Sequence, residues 1–170
     1  MIDSQVKRQD LGRAKNALQD YLIRKLLIPK VYLDANWNGK SVDVLAIDRA
    51  GVGDVHAVYI VYQGQDFENA LETVIANAGI HLMPHFLYAA VVFDGTDSPR
   101  FALPERIIQK SLAEDGVGRV GILYVDLSED DPRLQVVPRL KAERFRSSKE
   151  IVEQTDQFVA EHAANWEYRE

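Results

Sequence analysis

Cysteine is missing from the 170 residues of this sequence. Its absence excludes a disulfide scaffold, a zinc site built on thiolates and a cysteine nucleophile. Long apolar runs are missing as well, since no segment approaches the roughly 18 residues that a membrane span requires. The first ten residues, MIDSQVKRQD, lack the apolar core of a signal peptide. We therefore expect a cytoplasmic protein that does not enter a membrane.

The remaining composition is that of an ordinary globular chain, with 46% apolar and 27% charged residues. A chain of this length buries roughly 70% of its unfolded surface and needs no metal or disulfide to hold its core. We expect a single domain over residues 1–170, with a core at about 10–93. The strands and the capping helix of residues 94–170 would complete it.

Positive charge is concentrated in two segments of an otherwise acidic chain. The net charge of −6 disfavours a non-specific nucleic-acid binder, because such proteins are usually basic. Residues 1–30 and 139–149 nevertheless each carry a net charge of +4. Either segment could face phosphate, with Arg13, Lys15, Arg144 and Arg146 as the candidate contacts, or could form a solvated helix face and an ordinary exposed strand.

Apolar periodicity and breaker residues predict an alternation of helices and strands. In chain order these are a helix that stops near Ile28, strands over 31–37, 42–48 and 55–62, a helix that Asp66 caps, a strand over 86–93, a helix over 104–112, strands over 119–126 and 134–137, and a last helix that Ser147 caps and whose apolar stripe runs from Ile151 to Trp166.

This order predicts an α/β fold with a mixed sheet and helices on the sheet faces. Short turns join the first three strands into an antiparallel meander, and the following helix crosses over to a parallel fourth strand. The third strand is apolar on both faces, which favours a central position. Pro138 places the sixth strand at an edge, and the edge near Val137 offers a surface for self-association.

The chain begins with a helix, three strands, a helix and a strand, and three segments carry a more specific pattern: AKNALQDYL at 14–22, Asn36-Trp37, and GKSVDVLA at 39–46. This order and these segments resemble the PD-(D/E)XK nuclease-like superfamily, whose fold is called restriction-endonuclease-like. The resemblance covers about residues 10–93. It implies that Asp43, on the second strand, occupies the place of a metal-binding aspartate.

The family's chemistry explains which residues it needs. Hydrolysis of a phosphodiester uses a divalent metal to hold the phosphate and to lower the pKa of an attacking water. The family's third strand supplies an acidic residue and, two positions later, a lysine, which share one face of the strand. In this sequence those positions hold Tyr59 and Val61. The family's first helix often adds a glutamate, and the corresponding position here is near Lys15, which is not a metal ligand. The resemblance therefore points to a degenerate member.

Two further interpretations of Asp43 remain open. It could be a structural aspartate at a strand edge, because an unpaired buried carboxylate is costly. It could also belong to a migrated active site completed by Asp54, Gln63, Lys40 or Lys15. In that case Mg²⁺ or Mn²⁺ would bind at Asp43, and otherwise we expect no cofactor.

Histidines offer a weaker signal. His81 and His85 have the spacing of helical metal ligands, but Pro84 between them disfavours a helix and no third ligand is evident. His56, on the apolar third strand, is better explained as a satisfied core or edge residue.

Three functions follow from these observations. The first is a non-catalytic binding or regulatory protein with a degenerate nuclease-like fold, which binds a protein or a nucleic acid. The second is a metal-dependent DNA hydrolase with a migrated site around Asp43. The third is an α/β interaction protein unrelated to nucleases.

Overall fold

The fold is a seven-stranded mixed sheet with helices packed against it, as seen in a computed structural model. The structure describes residues 4–37, 39–48, 54–62, 84–93, 109, 118–145 and 150–167. The elements in this part of the chain are α1 (Ser4–Arg24), β1 (Lys30–Trp37), β2 (Lys40–Ile47), β3 (Val55–Tyr62), β4 (Phe86–Phe93), β5 (Gly121–Asp126), α2 (Pro132–Gln135), β6 (Val136–Leu140), α3 (Glu150–Glu161) and β7 (Trp166–Glu167).

The sheet has the strand order β6-β5-β4-β3-β2-β1-β7. β1, β2 and β3 form the predicted antiparallel meander, and β4 lies parallel to β3, as the predicted crossover requires. β5 continues in parallel, while β6 and β7 are antiparallel edge strands. The central position of β3 and the edge position of β6 are both confirmed, whereas self-association at that edge stays a prediction.

Both faces of the sheet are covered by apolar packing, which makes this an α/β architecture. On one face α1 contributes Ala14, Leu18 and Leu22, all fully buried against β2, β3 and β4. On the other face α3 contributes Ile151 and Phe158. The spacing of these residues at four, seven and eight positions presents one apolar stripe from each helix to the sheet.

The end of α1 shows how the chain turns into the sheet. Leu27 adopts a left-handed backbone with φ of 55°, which brings the N–H of Ile28 within 3.1 Å of the carbonyl oxygen of Leu22. This bond satisfies one of the carbonyls that the last helical turn leaves unpaired. The helix ends at Arg24, four residues before the predicted stop near Ile28, and Pro29 then precedes β1.

The predicted element boundaries are also wrong at Leu134 and at Trp166. Leu134 was expected in the sixth strand but lies in α2, because the Asp131 side chain accepts from the N–H of Arg133 and starts a helical turn at Pro132. Trp166 was expected on the stripe of the last helix but lies in β7. The chain leaves the helix because Asn165 donates its N–H to the Val31 carbonyl oxygen and accepts from the Leu33 N–H.

Other predictions fall outside the described residues. They are the helix that Asp66 begins, most of the helix over 104–112, of which only Gln109 is described and is helical, and the Ser147 cap. None of the helices in the described part of the chain combines the length and the apolar character that a membrane crossing requires.

Candidate functional site

The candidate site lies where β2 separates from β3. Their ladder pairs Val44 with Val58 and continues to Ile47 and Val55, but it does not include Asp43. At this point the Oδ2 atom of Asp43 accepts a hydrogen bond of 2.7 Å from the backbone N–H of Ile60. The carboxylate thus replaces the carbonyl partner that the β3 backbone loses when the two strands separate.

Asp34 lies opposite Asp43 on β1, in an unusual backbone conformation. Its φ is 51°, a left-handed value that is uncommon for a residue other than glycine. The register pairs Leu33 with Val44 and Ala35 with Val42, so Asp34 and Asp43 occupy the gap between these two pairs. Such local irregularities redirect side chains, and they are over-represented next to functional sites.

The irregularity reverses the side-chain alternation of both strands. Leu33 and Val44 pack on the α1 face of the sheet, whereas Ala35 and Val42, only two residues away, pack on the α3 face. Residues two apart in a regular strand share one face. The two aspartates lie at the point where the side chains of both strands change faces.

Lys15 of α1 completes the arrangement by forming an ion pair with Asp34. The lysine side chain is only 11% exposed, while that of Asp34 is 67% exposed. Lys15 also acts electrostatically on Asp43. We call Lys15, Asp34 and Asp43 the Asp43 cluster. It joins α1, β1 and β2, and through Ile60 it reaches β3.

The pKa of the Asp43 carboxyl is raised above its ordinary value. Burial is the largest cause; the Ile60 N–H and the Lys15 ammonium lower the pKa, and the Asp34 carboxylate raises it again. The pKa of Tyr59 is raised by burial and by the negative charge of Asp43. The Asp43 carboxyl is thus partly desolvated, and it interacts with the Asp34 carboxylate and the Lys15 ammonium.

This donor set limits the chemistry of the cluster. Within the described residues, no group of three or more His, Asp or Glu side chains is arranged to hold a metal ion. Asp43 and Asp34 could supply two carboxylates to Mg²⁺, which keeps several of its waters and accepts such a small protein contribution. Of the two third-strand positions, Tyr59 is partly buried and Val61 is 3% exposed, and neither is a ligand for a hard cation.

The other predicted partners of Asp43 lie elsewhere. Asp54 precedes β3 and forms an ion pair with Arg144. It is six residues along the chain from Ile60, the contact of Asp43, or roughly 20 Å at the rise of an extended strand. Gln63 and the side chain of Lys40 are outside the described residues.

The predicted nucleic-acid contacts do not form one cationic surface in the described part of the chain. Arg13 donates from its guanidinium to the Leu127 carbonyl oxygen, and Lys15 and Arg144 are paired with aspartates. Arg146 lies outside the described residues. Internal neutralisation of this kind reduces the field that a phosphate would feel.

Two surface clefts lie near the C-terminal end of α1. One, of about 530 Å³, is lined by Asp20, Arg24, Asp131 and Arg133. The other, of about 340 Å³, is lined by Ile23, Leu27, Ile28, Pro29, Asp48 and Trp166. No member of the Asp43 cluster is among these lining residues.

Sequence reasoning found Asp43 and Lys15 but missed Asp34. The segment YLDANW reads as an alternating strand, in which an exposed aspartate attracts no notice. The signal that identifies Asp34 is its left-handed backbone, which the sequence does not reveal. His85 was expected to be an ordinary loop histidine, and it is instead buried and hydrogen-bonded to β3.

Comparison with known proteins adds little to this picture. No family model matches the sequence, and no curated protein matches it. Among solved structures, the chain is similar to the SPO1766 protein of unknown function from Silicibacter pomeroyi, with 15% sequence identity and a TM-score of 0.44. That similarity covers 78% of this chain and 72% of the other.

Proposed function

We propose that this protein is a non-catalytic binding or regulatory protein built on a degenerate PD-(D/E)XK nuclease-like fold. The observation that carries the proposal is the hydrogen bond from the Ile60 N–H to Asp43. The one carboxylate that matches the family's pattern serves as a backbone partner. Tyr59 and Val61 stand where an acid and a lysine would complete the site.

The charges of the cluster support the same conclusion. Phosphodiester hydrolysis needs a metal to bind the phosphate and a cation to stabilise the charge that develops on it. Lys15, which acts electrostatically on Asp43, is already paired with Asp34 and is mostly withdrawn from solvent. To act on a substrate it would first have to leave this partner, so the arrangement favours a structural role over catalysis.

A metal-dependent hydrolase remains a second candidate, because one observation favours it. Asp34 acts electrostatically on Asp43, so a second carboxylate lies near the first, although it comes from β1 and not from the third strand. Its left-handed backbone costs of order 1–3 kcal/mol, and strain of this kind concentrates at functional sites. In this alternative, Asp34 and Asp43 would bind Mg²⁺ or Mn²⁺ and Lys15 would contact phosphate.

Calorimetric titration of Mn²⁺ distinguishes the two candidates. The titration is run on the wild type, Asp43→Asn, Asp34→Asn and, as a matched control, Asp20→Asn, whose carboxylate is paired with Arg24 on α1. A second arm repeats the series with a short DNA duplex present, because a cation can require substrate phosphate for part of its coordination.

The non-catalytic proposal predicts no binding heat that depends on Asp43 and Asp34 in either arm. Binding that disappears in both of these variants and persists in Asp20→Asn would overturn the proposal. Such a result would establish a cation site in the Asp43 cluster and would support the hydrolase.

We favour a protein partner over a nucleic acid, because the described basic candidates are engaged in internal contacts. Fluorescence anisotropy of a labelled DNA duplex at low salt tests this preference. We expect no binding at micromolar protein. Binding that weakens steeply with salt and is reduced in Arg13→Gln would identify a phosphate-binding surface instead.

A further inference from the structure

A second group of ionisable side chains lies at the other end of β3, away from the Asp43 cluster. His85 precedes β4 and is 5% exposed. Its Nδ1 atom accepts a hydrogen bond of 2.9 Å from the backbone N–H of Val55, and the same atom lies 3.9 Å from Oδ1 of Asp54. Because Nδ1 acts as an acceptor, the ring is neutral and carries its proton on Nε2.

His85 also holds a neighbouring segment, residues 141–145, which we call the strap. The N–H of Phe145 donates to the backbone carbonyl of His85 at 2.9 Å, and Glu143 exchanges two backbone hydrogen bonds with Arg119. Arg144 forms an ion pair with Asp54. The strap is thus tied to the ends of three strands, and its anchor at Asp54 is the carboxylate that faces His85.

The strap covers apolar surface. Ala142 and Phe145 are 7% and 4% exposed. Both pack against positions that lack a side chain, because a Cβ atom at Gly118 would lie 2.6 Å from the Phe145 ring and one at Gly121 would lie 2.8 Å from the Cβ atom of Ala142. Release of the strap would therefore expose a close-packed apolar patch.

We propose that His85 is an acid-sensitive latch that holds the strap against the sheet. A proton taken up from solvent at Nδ1 converts this nitrogen from an acceptor into a donor, so the Val55 N–H loses its partner. The new N–H⁺ faces Asp54 and competes with Arg144 for its carboxylate. The loss of Arg144 from Asp54 loosens the strap and uncovers Phe145.

The charged groups around His85 determine the pH range over which the strap would open. Burial and the Arg144 cation lower the pKa of His85, while the Asp54 carboxylate raises it, and the net shift is downward. Burial also lowers the pKa of the neighbouring His56, to about 4. Because Arg144 disfavours the imidazolium, protonation of His85 and departure of Arg144 promote one another.

The sign of the response follows from linkage. In the closed strap burial holds the pKa of His85 below its ordinary value of 6.5, and we expect opening of the strap to expose the ring and to raise the pKa toward that value. The closed state is therefore fully stable above about pH 6.5 and loses stability as the pH falls through the pKa of the closed state.

Amide hydrogen exchange at pH 7.5 to 5 tests the latch. We expect the protection factors of Phe145 and Glu143 to fall by up to about tenfold per pH unit below the open-state pKa. Those of Val58 and Ala90, at the centre of the sheet, should not change. The variant His85→Asn keeps an acceptor for the Val55 N–H but takes up no proton, so its strap protection should not depend on pH. The matched control His162→Asn, at the end of α3, should respond like the wild type.

Strap protection that does not change with pH in the wild type, or that changes equally in His85→Asn, would overturn the proposal. If His85→Asn fails to fold, Asp54→Asn provides the test. An imidazolium without this carboxylate forms less readily, so the NMR titration midpoint of the His85 ring should move to lower pH. An unchanged midpoint would contradict the latch.

Discussion

A carboxylate can take the place of a missing strand partner, and Asp43 illustrates how this fixes the position of a charge. Where β2 and β3 separate, the Ile60 N–H would be left without an acceptor among the described residues, and Asp43 supplies one. The hydrogen bond and the nearby Lys15 ammonium offset part of the cost of burying the charge. The backbone geometry therefore gives Asp43 a structural role at this position.

Two substitutions of Asp43 should distinguish the contribution of its hydrogen bond to stability from the contribution of its charge. Asp43→Ala leaves the Ile60 N–H unpaired and should lower the free energy of unfolding by about 1–3 kcal/mol. Asp43→Asn keeps an oxygen acceptor and removes the buried charge, so its stability at pH 7 should lie within about 1 kcal/mol of the wild type. Urea denaturation of the three proteins measures both differences.

The pH dependence provides the control for this comparison. Because the pKa of Asp43 is raised in the folded state, ionisation of this group costs stability as the pH rises above about 3.8. Any advantage of Asp43→Asn over the wild type should therefore disappear below that pH. Equal losses in Asp43→Ala and Asp43→Asn at pH 7 would mean that the charge, and not the hydrogen bond, stabilises the fold.

At the residue scale, the sequence identifies charges that interrupt apolar patterns and misses those that do not. Asp43 interrupts the run VDVLAI, and the resemblance of this segment to a nuclease-like strand made it a candidate. Asp34 sits in a pattern with alternating polarity, and only its backbone angle reveals the reversal of faces. The Asp54–Arg144 pair joins residues that are 90 positions apart, which no local pattern can predict.

Elements were predicted best where an apolar run is bounded on both sides. The bounds of β3 and β4 were predicted correctly, because each is a continuous buried strand. Boundaries were misplaced where a tertiary contact overrides the periodicity, as at Trp166. Its four-residue spacing from His162 suits a helix, but hydrogen bonds between Asn165 and β1 draw it into β7.

The strap depends on the absence of a side chain beneath it, which a substitution can test. A Cβ atom at position 121 would lie 2.8 Å from both the Ala142 Cβ and the Tyr88 ring, and 2.9 Å from the Ala142 backbone nitrogen. Since backbone cannot move aside as a flexible side chain can, Gly121→Ala should lower the free energy of unfolding by about 1–3 kcal/mol. Urea denaturation measures this loss.

Gly12, in α1, is the matched control for this substitution. It has nothing within 4 Å of a Cβ position, so Gly12→Ala should raise the free energy of unfolding by about 0.5–1 kcal/mol through helix propensity. If Gly121→Ala proved as stable as the wild type, the close contact between the strap and β5 would be refuted.

At the scale of the whole molecule, buried neutral histidines should make the fold sensitive to acid. His56 is 8% exposed, stacks on Phe86 with ring centroids 4.7 Å apart, and lies 3.2 Å from the Tyr88 hydroxyl through Nδ1. Burial lowers its pKa from about 6.5 to about 4. The folded protein therefore binds fewer protons than the unfolded chain in this range.

The free energy of unfolding should fall as the pH decreases from 6.5 to 4, with His56 contributing up to about 3 kcal/mol of the loss. Denaturant midpoints measured at half-unit intervals of pH give the curve. In His56→Phe the lost hydrogen bond to Tyr88 lowers stability at pH 7, but the decline with acid should be shallower. Parallel curves for the two proteins would exclude His56 as a source of the acid sensitivity.

Because β7 lies near residue 167 in the sequence, one edge of β1 receives its strand partner late in synthesis. From β1 to β6, every strand pairs with its neighbour in the sequence, so each can find a partner soon after it leaves the ribosome. The outer edge of β1 pairs instead with Trp166 and Glu167. At 5–20 residues per second, that edge waits roughly 7 to 27 s for its partner. During this interval the nascent chain presents an open strand to its surroundings, so β7 completes the sheet last and also protects it from aggregation.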